Sequence, residues 1–86
     1  MPFGASAQKI VLKNESNQMI KFWCQYHSDG AQVAPGSSVQ QDWAWCWGFG
    51  KADVTIYYMH DGKTYQLLVE EGQTLTVNAD GSCTNM

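Results

Sequence analysis

The chain is short of basic residues: five Lys and Arg residues stand against eight Asp and Glu, for a formal net charge of −3. A nucleic-acid interface needs a basic stripe that neutralises phosphates and releases counterions. The same shortage argues against electrostatic attachment to an anionic lipid surface. We therefore expect no nucleic-acid partner, and membrane contact only by insertion of exposed Trp side chains into a neutral interface.

Long apolar segments are also missing. No apolar run approaches the ~20 residues that a transmembrane helix needs. The first eight residues, Met1 to Gln8, lack both the basic and the apolar region of a signal peptide. Removal of a leader before residue 1 would leave the same sequence, so a secreted mature form and a cytoplasmic protein both fit it.

Signals of catalysis and of metal binding are scarce. The serines lie in turns without a G-x-S-x-G context, and no pair of carboxylates is placed for glycosidase chemistry. His27 near Asp29 and His60 beside Asp61 provide the ligand types of a zinc site, but His and Asp are also ordinary residues at turns. We therefore expect a non-enzyme with no metal and no cofactor.

The three cysteines, Cys24, Cys46 and Cys83, are an odd number, and no two of them have CxxC spacing. One disulfide with a spare thiol, an intermolecular bridge, and three reduced thiols all remain open. The absence of CxxC argues against zinc and redox chemistry, so we expect the cysteines to be structural.

Short β-type runs, separated by turn signals rich in Gly, Asp and Asn, make up the rest of the chain. With 44% hydrophobic, 13% aromatic and only 15% charged residues, the 86-residue chain has the composition of one small globular domain. β-branched, aromatic and alternating residues predict about six strands and no helix. The predicted strands are Lys9–Lys13, Met19–Tyr26, Val39–Trp47, Asp53–His60, Thr64–Glu70 and Thr74–Asn78.

The turn dipeptide Asp61-Gly62 lies between two apolar runs, which is a strong hairpin signal. Antiparallel strands joined by tight turns, without helical crossovers, predict a small all-β domain: an antiparallel β-sandwich or barrel of about six strands. We place an N-terminal tail at residues 1–8, the single β domain at 9–83 and a C-terminal tail at 84–86.

The most informative feature is the Trp ladder, defined as Trp43, Trp45 and Trp47. Side chains alternate across a strand, so three indole rings at alternate positions would line one face. Such a row is either the centre of a core or a flat surface for a ligand.

Two arguments about the phase of these strands disagree. In the second predicted strand the apolar set is Ile20, Phe22, Cys24 and Tyr26, which leaves Lys21, Trp23 and Gln25 outward. A Cys24–Cys46 bond in the core would then turn the Trp ladder outward as well. By contrast, Val39 shares parity with the ladder and would turn it inward, unless a bulge near Gln41-Asp42 shifts the phase.

An exposed aromatic surface suits carbohydrate, because the apolar face of a sugar ring stacks on an indole while amides and carboxylates bond its hydroxyls. We expect a non-enzymatic, lectin-like binding module that acts in adhesion or defence. The alternative is a protein-interaction or toxin-like effector domain, with a membrane-active form as one version of it, since Trp and Tyr also dominate protein interfaces. The oligomeric state stays open. The candidate ligand-binding residues are Trp23, Trp43, Trp45, Trp47, Tyr57, Gln25, Gln41 and Asp42, with Gln66 as a further hydrogen-bonding group.

Overall fold

The computed structural model describes residues 9–24, 27–42, 53–70 and 72–86, and in this part of the chain all regular structure is β. The all-β class is confirmed, but the expected six strands are too few. No helix in the described segments is long and apolar enough to cross a membrane. The eight strands are β1 Lys9–Asn14, β2 Ile20–Cys24, β3 His27–Val33, β4 Ser38–Asp42, β5 Asp53–His60, β6 Lys63–Glu70, β7 Thr74–Val77 and β8 Cys83–Asn85.

The strands form two four-stranded sheets. Sheet A has the order β4-β1-β7-β8, and sheet B has the order β3-β2-β5-β6. Five of the six strand pairs are antiparallel, whereas β1 and β7 run parallel, with Leu12 opposite Leu75. The antiparallel arrangement expected from the sequence therefore holds for most of the fold and fails at the centre of sheet A.

Both sheets contribute to one hydrophobic core. Alternation in β2 is regular, with a buried residue at every second position from Ile20 to Cys24. Because successive side chains point to opposite faces, the same rule leaves Lys21 and Trp23 on the outside of sheet B. The buried hydrophobic residues are Ile10, Leu12, Leu75 and Val77 in sheet A, and Ile20, Phe22, Cys24, Val33, Ile56, Tyr58 and Val69 in sheet B.

Two strands are missing from the sequence-based prediction. Ser28-Asp29-Gly30 has turn composition, yet it lies inside β3. The register explains this: Phe22 pairs with Ala31 and Cys24 with His27, so extra β3 residues bulge opposite one residue of β2. The second missing strand, β8, has only three residues, Cys83–Asn85, and overlaps the predicted C-terminal tail at 84–86.

The hairpin prediction at Asp61-Gly62 is confirmed. His60 pairs with Lys63, and both turn residues have positive φ, 52° for Asp61 and 79° for Gly62. Positive φ at both central positions is the requirement of a type I′ turn, which matches the twist of the strands it joins. This turn fixes the register of β5 against β6 and hence the outer face of sheet B.

Candidate functional site

The outer face of sheet B brings together two residues predicted from the sequence. Trp23 of β2 pairs with Tyr57 of β5, and Tyr57 pairs with Gln66 of β6. Directly opposed residues lie on the same face of a sheet. Trp23, Tyr57 and Gln66 therefore form one line across three strands, which we call the Trp23 row.

The two rings of the Trp23 row contact each other. Their centroids are 5.8 Å apart and their planes are inclined by 15°, so the indole and the phenol are stacked. The ammonium group of Lys21 lies over the indole, 5.7 Å from its centroid, in a cation–π contact. Both rings are half-buried, so part of each faces solvent although neither belongs to the core.

Polar and apolar side chains flank the row. Lys21 pairs with Gln32 of β3, and the Gln32 side chain is exposed. On the other side, Thr55 is paired with Leu68 and Met59 with Thr64. Leu68 is 60% exposed and Met59 is 45% exposed. The face thus combines stacked rings, neutral hydrogen-bonding groups, one cation and two solvent-facing apolar side chains.

A bulge borders the row at Trp23. Gly30 has a φ of +64°, and a Cβ added to it would clash with the carbonyl oxygen of Phe22 and lie 3.0 Å from the Cβ of Trp23. Only glycine allows the β3 backbone to approach β2 this closely. The bulge leaves Trp23 without a directly opposed side chain on β3, so its ring packs toward Tyr57.

The remaining predicted binding residues lie elsewhere or outside the described residues. Gln41 pairs with the buried Ile10, so it lies on the core side of sheet A and not with the Trp23 row. Asp42 pairs with Lys9 at the end of the same strand. Gln25 and the Trp ladder, Trp43, Trp45 and Trp47, lie outside the described residues, as does Cys46.

The two His residues are not neighbours. His27 pairs with Cys24, the last residue of β2. His60 is the last residue of β5 and lies two residues beyond Tyr58, which pairs with Phe22, so His60 lies near the start of β2. His27 and His60 therefore lie at opposite ends of β2. Within residues 9–24, 27–42, 53–70 and 72–86, no three His, Cys, Asp or Glu side chains are grouped to hold a metal ion.

On the inner side of sheet B lies a second aromatic group. Tyr58 stacks on Tyr65 with centroids 5.1 Å apart, and its hydroxyl donates a 2.7 Å hydrogen bond to the carbonyl oxygen of Gly81. Burial, with smaller contributions from Cys83, Tyr65 and Asp80, raises the pKa of Tyr58 to about 12. Burial also raises the pKa of the Cys83 thiol to about 11. Both groups are therefore protonated at neutral pH.

Sequence reasoning missed the neighbours of the row. Lys21, Gln32, Met59 and Leu68 carry no motif, and they join the site only because strands from different parts of the chain align there. Comparisons of the chain with protein-family models, with curated proteins and with solved structures gave no match. The geometry of this face is therefore the basis for a functional proposal.

Proposed function

We propose that the chain is a small, non-enzymatic β-sandwich module that binds carbohydrate through the outer face of sheet B, centred on the Trp23 row. The observation that carries this proposal is the stacked, half-buried Trp23–Tyr57 pair on a face that the core does not use. The two stacked rings are offset, with centroids 5.8 Å apart, so apolar ring surface lies next to the polar N–H and O–H groups, and this combination suits the C–H face and the hydroxyl rim of a pyranose.

Each neighbour of the rings has a chemical role in this proposal. The side-chain amide of Gln66 continues the row and both donates and accepts hydrogen bonds, as sugar hydroxyls do. The amide of Gln32 supplies the same groups on the β3 side, and the ammonium of Lys21 donates hydrogen bonds from above the indole. The Trp ladder stays a separate, sequence-based candidate for sugar binding.

A protein or lipid partner is the second candidate function, and a separate observation favours it. Met59 and Leu68 expose large apolar surfaces on the same face as the rings. Exposed apolar residues beside Trp and Tyr are typical of protein interfaces, and they would also insert into a neutral bilayer surface. A toxin-like effector would use the same side chains as a lectin, so variants alone do not distinguish the two functions. Identifying which ligand binds, a sugar, a bilayer or a protein, does distinguish them.

Titration with a panel of neutral and acidic oligosaccharides, followed by calorimetry and amide NMR shifts, tests the proposal. Trp23→Ala and Tyr57→Ala should each weaken sugar binding at least ~10-fold, equivalent to about 1.4 kcal/mol, because each removes a stacking surface. Thr76→Ala is the matched control, since Thr76 lies on β7 of sheet A, and it should leave affinity unchanged. Trp45→Ala tests the ladder in the same assay.

Three results would count against the carbohydrate proposal. Sugars that produce no heat and no shifts, together with saturable binding to neutral liposomes, would assign the face to a membrane. Capture of a protein partner that Leu68→Lys abolishes would assign it to protein recognition. Sugar binding that survives the double variant Trp23→Ala/Tyr57→Ala, with unfolding curves confirming that it is folded, would move the site away from the Trp23 row.

A further inference from the structure

Lys21 is the charged residue at the Trp23 row. Of the outward positions that the structure describes on β2, β3, β5 and β6, Lys21 holds the one Lys or Arg. It pairs with Gln32 of β3, and the register of β2 against β5 places Met59 on its other side. The side chain is half-buried between these neighbours, and its ammonium group lies over the indole of Trp23. The cation is therefore held at the row instead of extending into solvent.

Ion pairing does not account for this position of Lys21. Within residues 9–24, 27–42, 53–70 and 72–86, the ion pair that forms joins Lys13 to Glu15, at 3.8 Å, and no carboxylate of these segments lies at ion-pair distance from Lys21. The contact of Lys21 is with the indole, 5.7 Å from the ring centroid. A cation–π contact is weaker than a charge-assisted hydrogen bond. The three N–H donors of the ammonium group are therefore available to an anion that binds over the row.

An anion bound to Lys21 would lie at the edge of the stacked rings. Lys21 and Trp23 are two residues apart on one face of β2, which separates their positions by ~7 Å along the strand. A pyranose stacked on Trp23 and Tyr57 would thus bring a carboxylate on the rim of its ring to the ammonium group. A neutral sugar has a hydroxymethyl group at that position, which makes no charge-assisted hydrogen bond.

Acidic residues limit how much negative charge this face accepts. Asp29 on β3 and Glu70 at the end of β6 are both exposed, and the chain has a net charge of −3. Exposed charges are screened beyond ~8 Å at physiological ionic strength, so Lys21 attracts an anion only at short range. A polymer of acidic sugars would place its other carboxylates on a face with no second cation among the described residues. One carboxylate beside Lys21 fits this distribution of charge.

We propose that the Trp23 row binds an oligosaccharide with a single acidic sugar, such as one terminal uronic acid, and that Lys21 selects it over the neutral sugar. The carboxylate accepts hydrogen bonds from the ammonium group of Lys21, while the sugar ring stacks on Trp23 and Tyr57. The exposed amide of Gln32, paired with Lys21, bonds a neighbouring hydroxyl. This inference rests on the proposed carbohydrate-binding function and adds the class of ligand to it.

Calorimetric titration with matched oligosaccharides tests the inference. Each series contains a neutral trisaccharide, the same trisaccharide with one terminal uronic acid, and the trisaccharide of three uronic acids, in the gluco, galacto and manno configurations. In the series that binds, the singly acidic member should bind ~5–10-fold tighter than the neutral one, because it gains a charge-assisted hydrogen bond. This preference should decrease as the salt concentration rises. The fully acidic member should bind no tighter than the singly acidic one.

Variants separate the local charge of Lys21 from the charge of the whole protein. Lys21→Gln should abolish the preference by weakening the acidic ligand more than the neutral one. Lys21→Arg keeps the charge and should retain the preference. Lys13→Gln is the matched control, since it removes one positive charge from sheet A, where Lys13 lies beside Glu15, and it should leave the preference unchanged.

The possible failures of this inference and of the proposed function give different results. Equal affinity of the wild type for neutral and singly acidic members would overturn the inference and leave the carbohydrate proposal standing. A preference that persists in Lys21→Gln, with unfolding curves matching wild type, would also overturn it, as would tightest binding of the fully acidic member. If no member of any series bound, the proposed function would fail and this inference would fail with it.

Discussion

The outer faces of the two sheets differ although both sheets pack on the same core. On sheet A the outward positions of β1, β4 and β7 carry Val11, Lys13, Ser38, Gln40, Thr74 and Thr76. On sheet B the corresponding positions carry the stacked Trp23 and Tyr57 with exposed Met59 and Leu68. Sheet A shows that this fold needs no exposed aromatic residues. The proposal that the outer face of sheet B binds a ligand predicts that its aromatic side chains contribute little to folding, and the variants below test this difference.

The largest expected effect on the free energy of unfolding is a difference between substitutions on the two faces of β2. Phe22→Ala removes a fully buried ring from the core and should lower the free energy of unfolding by about 3–5 kcal/mol. Trp23→Ala, one position along, loses a cross-strand stack on the outer face and should cost only about 1 kcal/mol. Urea unfolding followed by circular dichroism measures both. Equal losses would mean that Trp23 serves the fold as much as Phe22 does.

A smaller effect tests the bulge beside the Trp23 row. Gly30→Ala places a methyl group against the Phe22 carbonyl oxygen, and forced backbone shifts of this kind cost about 1–3 kcal/mol beyond the unfavourable positive φ. Gly36→Ala is the matched control, because Gly36 also has a positive φ of 77° but open space around it. Gly36→Ala should cost only about 1 kcal/mol for the left-handed conformation. Similar unfolding midpoints for the two variants would contradict close packing of β3 against β2 at Gly30.

The smallest expected effect concerns the inner side of sheet B at alkaline pH. The pKa of Tyr58 rises from 10.0 to about 12 in the folded state, so the unfolded chain loses this proton first as pH increases. The stability that the protonated phenol contributes is complete below pH 10 and is lost as pH rises toward 12. The raised pKa of Cys83, from 9.0 to about 11, adds a loss in an overlapping range.

Tyr58→Phe isolates this contribution. At neutral pH the variant should be less stable by about 1 kcal/mol, because the hydrogen bond to the Gly81 carbonyl oxygen is lost. The difference from wild type should shrink and then reverse in sign as pH rises from 10 to 12, since only the wild type titrates at this position and loses stability there. Unfolding curves across this range measure the difference. A constant difference at all pH values would mean that Tyr58 titrates alike in both states.

Much of the architecture follows from local sequence. The strand Asp53–His60 was predicted with its observed bounds, and Asp61-Gly62 specified the hairpin, because positive φ at both turn positions selects such residues. Alternation placed Phe22 inside and Trp23 outside. Prediction failed at β3, because Ser28-Asp29-Gly30 has turn composition, whereas Gly30 here allows a bulge inside a strand. It failed at β8 because three residues are too few for a periodic signal.

The candidate site was only partly accessible to sequence reasoning. Trp23, Tyr57 and Gln66 could each be proposed from residue type, but nothing in the order of residues says that they share one row. Gln41, an equally plausible sugar ligand by composition, lies on the core side of the other sheet. Residue chemistry is local, whereas the set of residues on one face depends on which strands are neighbours.

The sequence by itself determined that the chain is all-β, where its main turn lies, and which side chains of β2 face the core. These properties depend on backbone propensity and on the two-residue period of a strand, and both act over a few neighbouring residues. Only the tertiary structure decided the parallel β1–β7 pair, the stacking of Trp23 on Tyr57, and the hydrogen bond from the Asn85 side chain to the Leu68 carbonyl oxygen of β6. Pairing between distant strands is chosen by burial of the whole core, and no short segment contains that information.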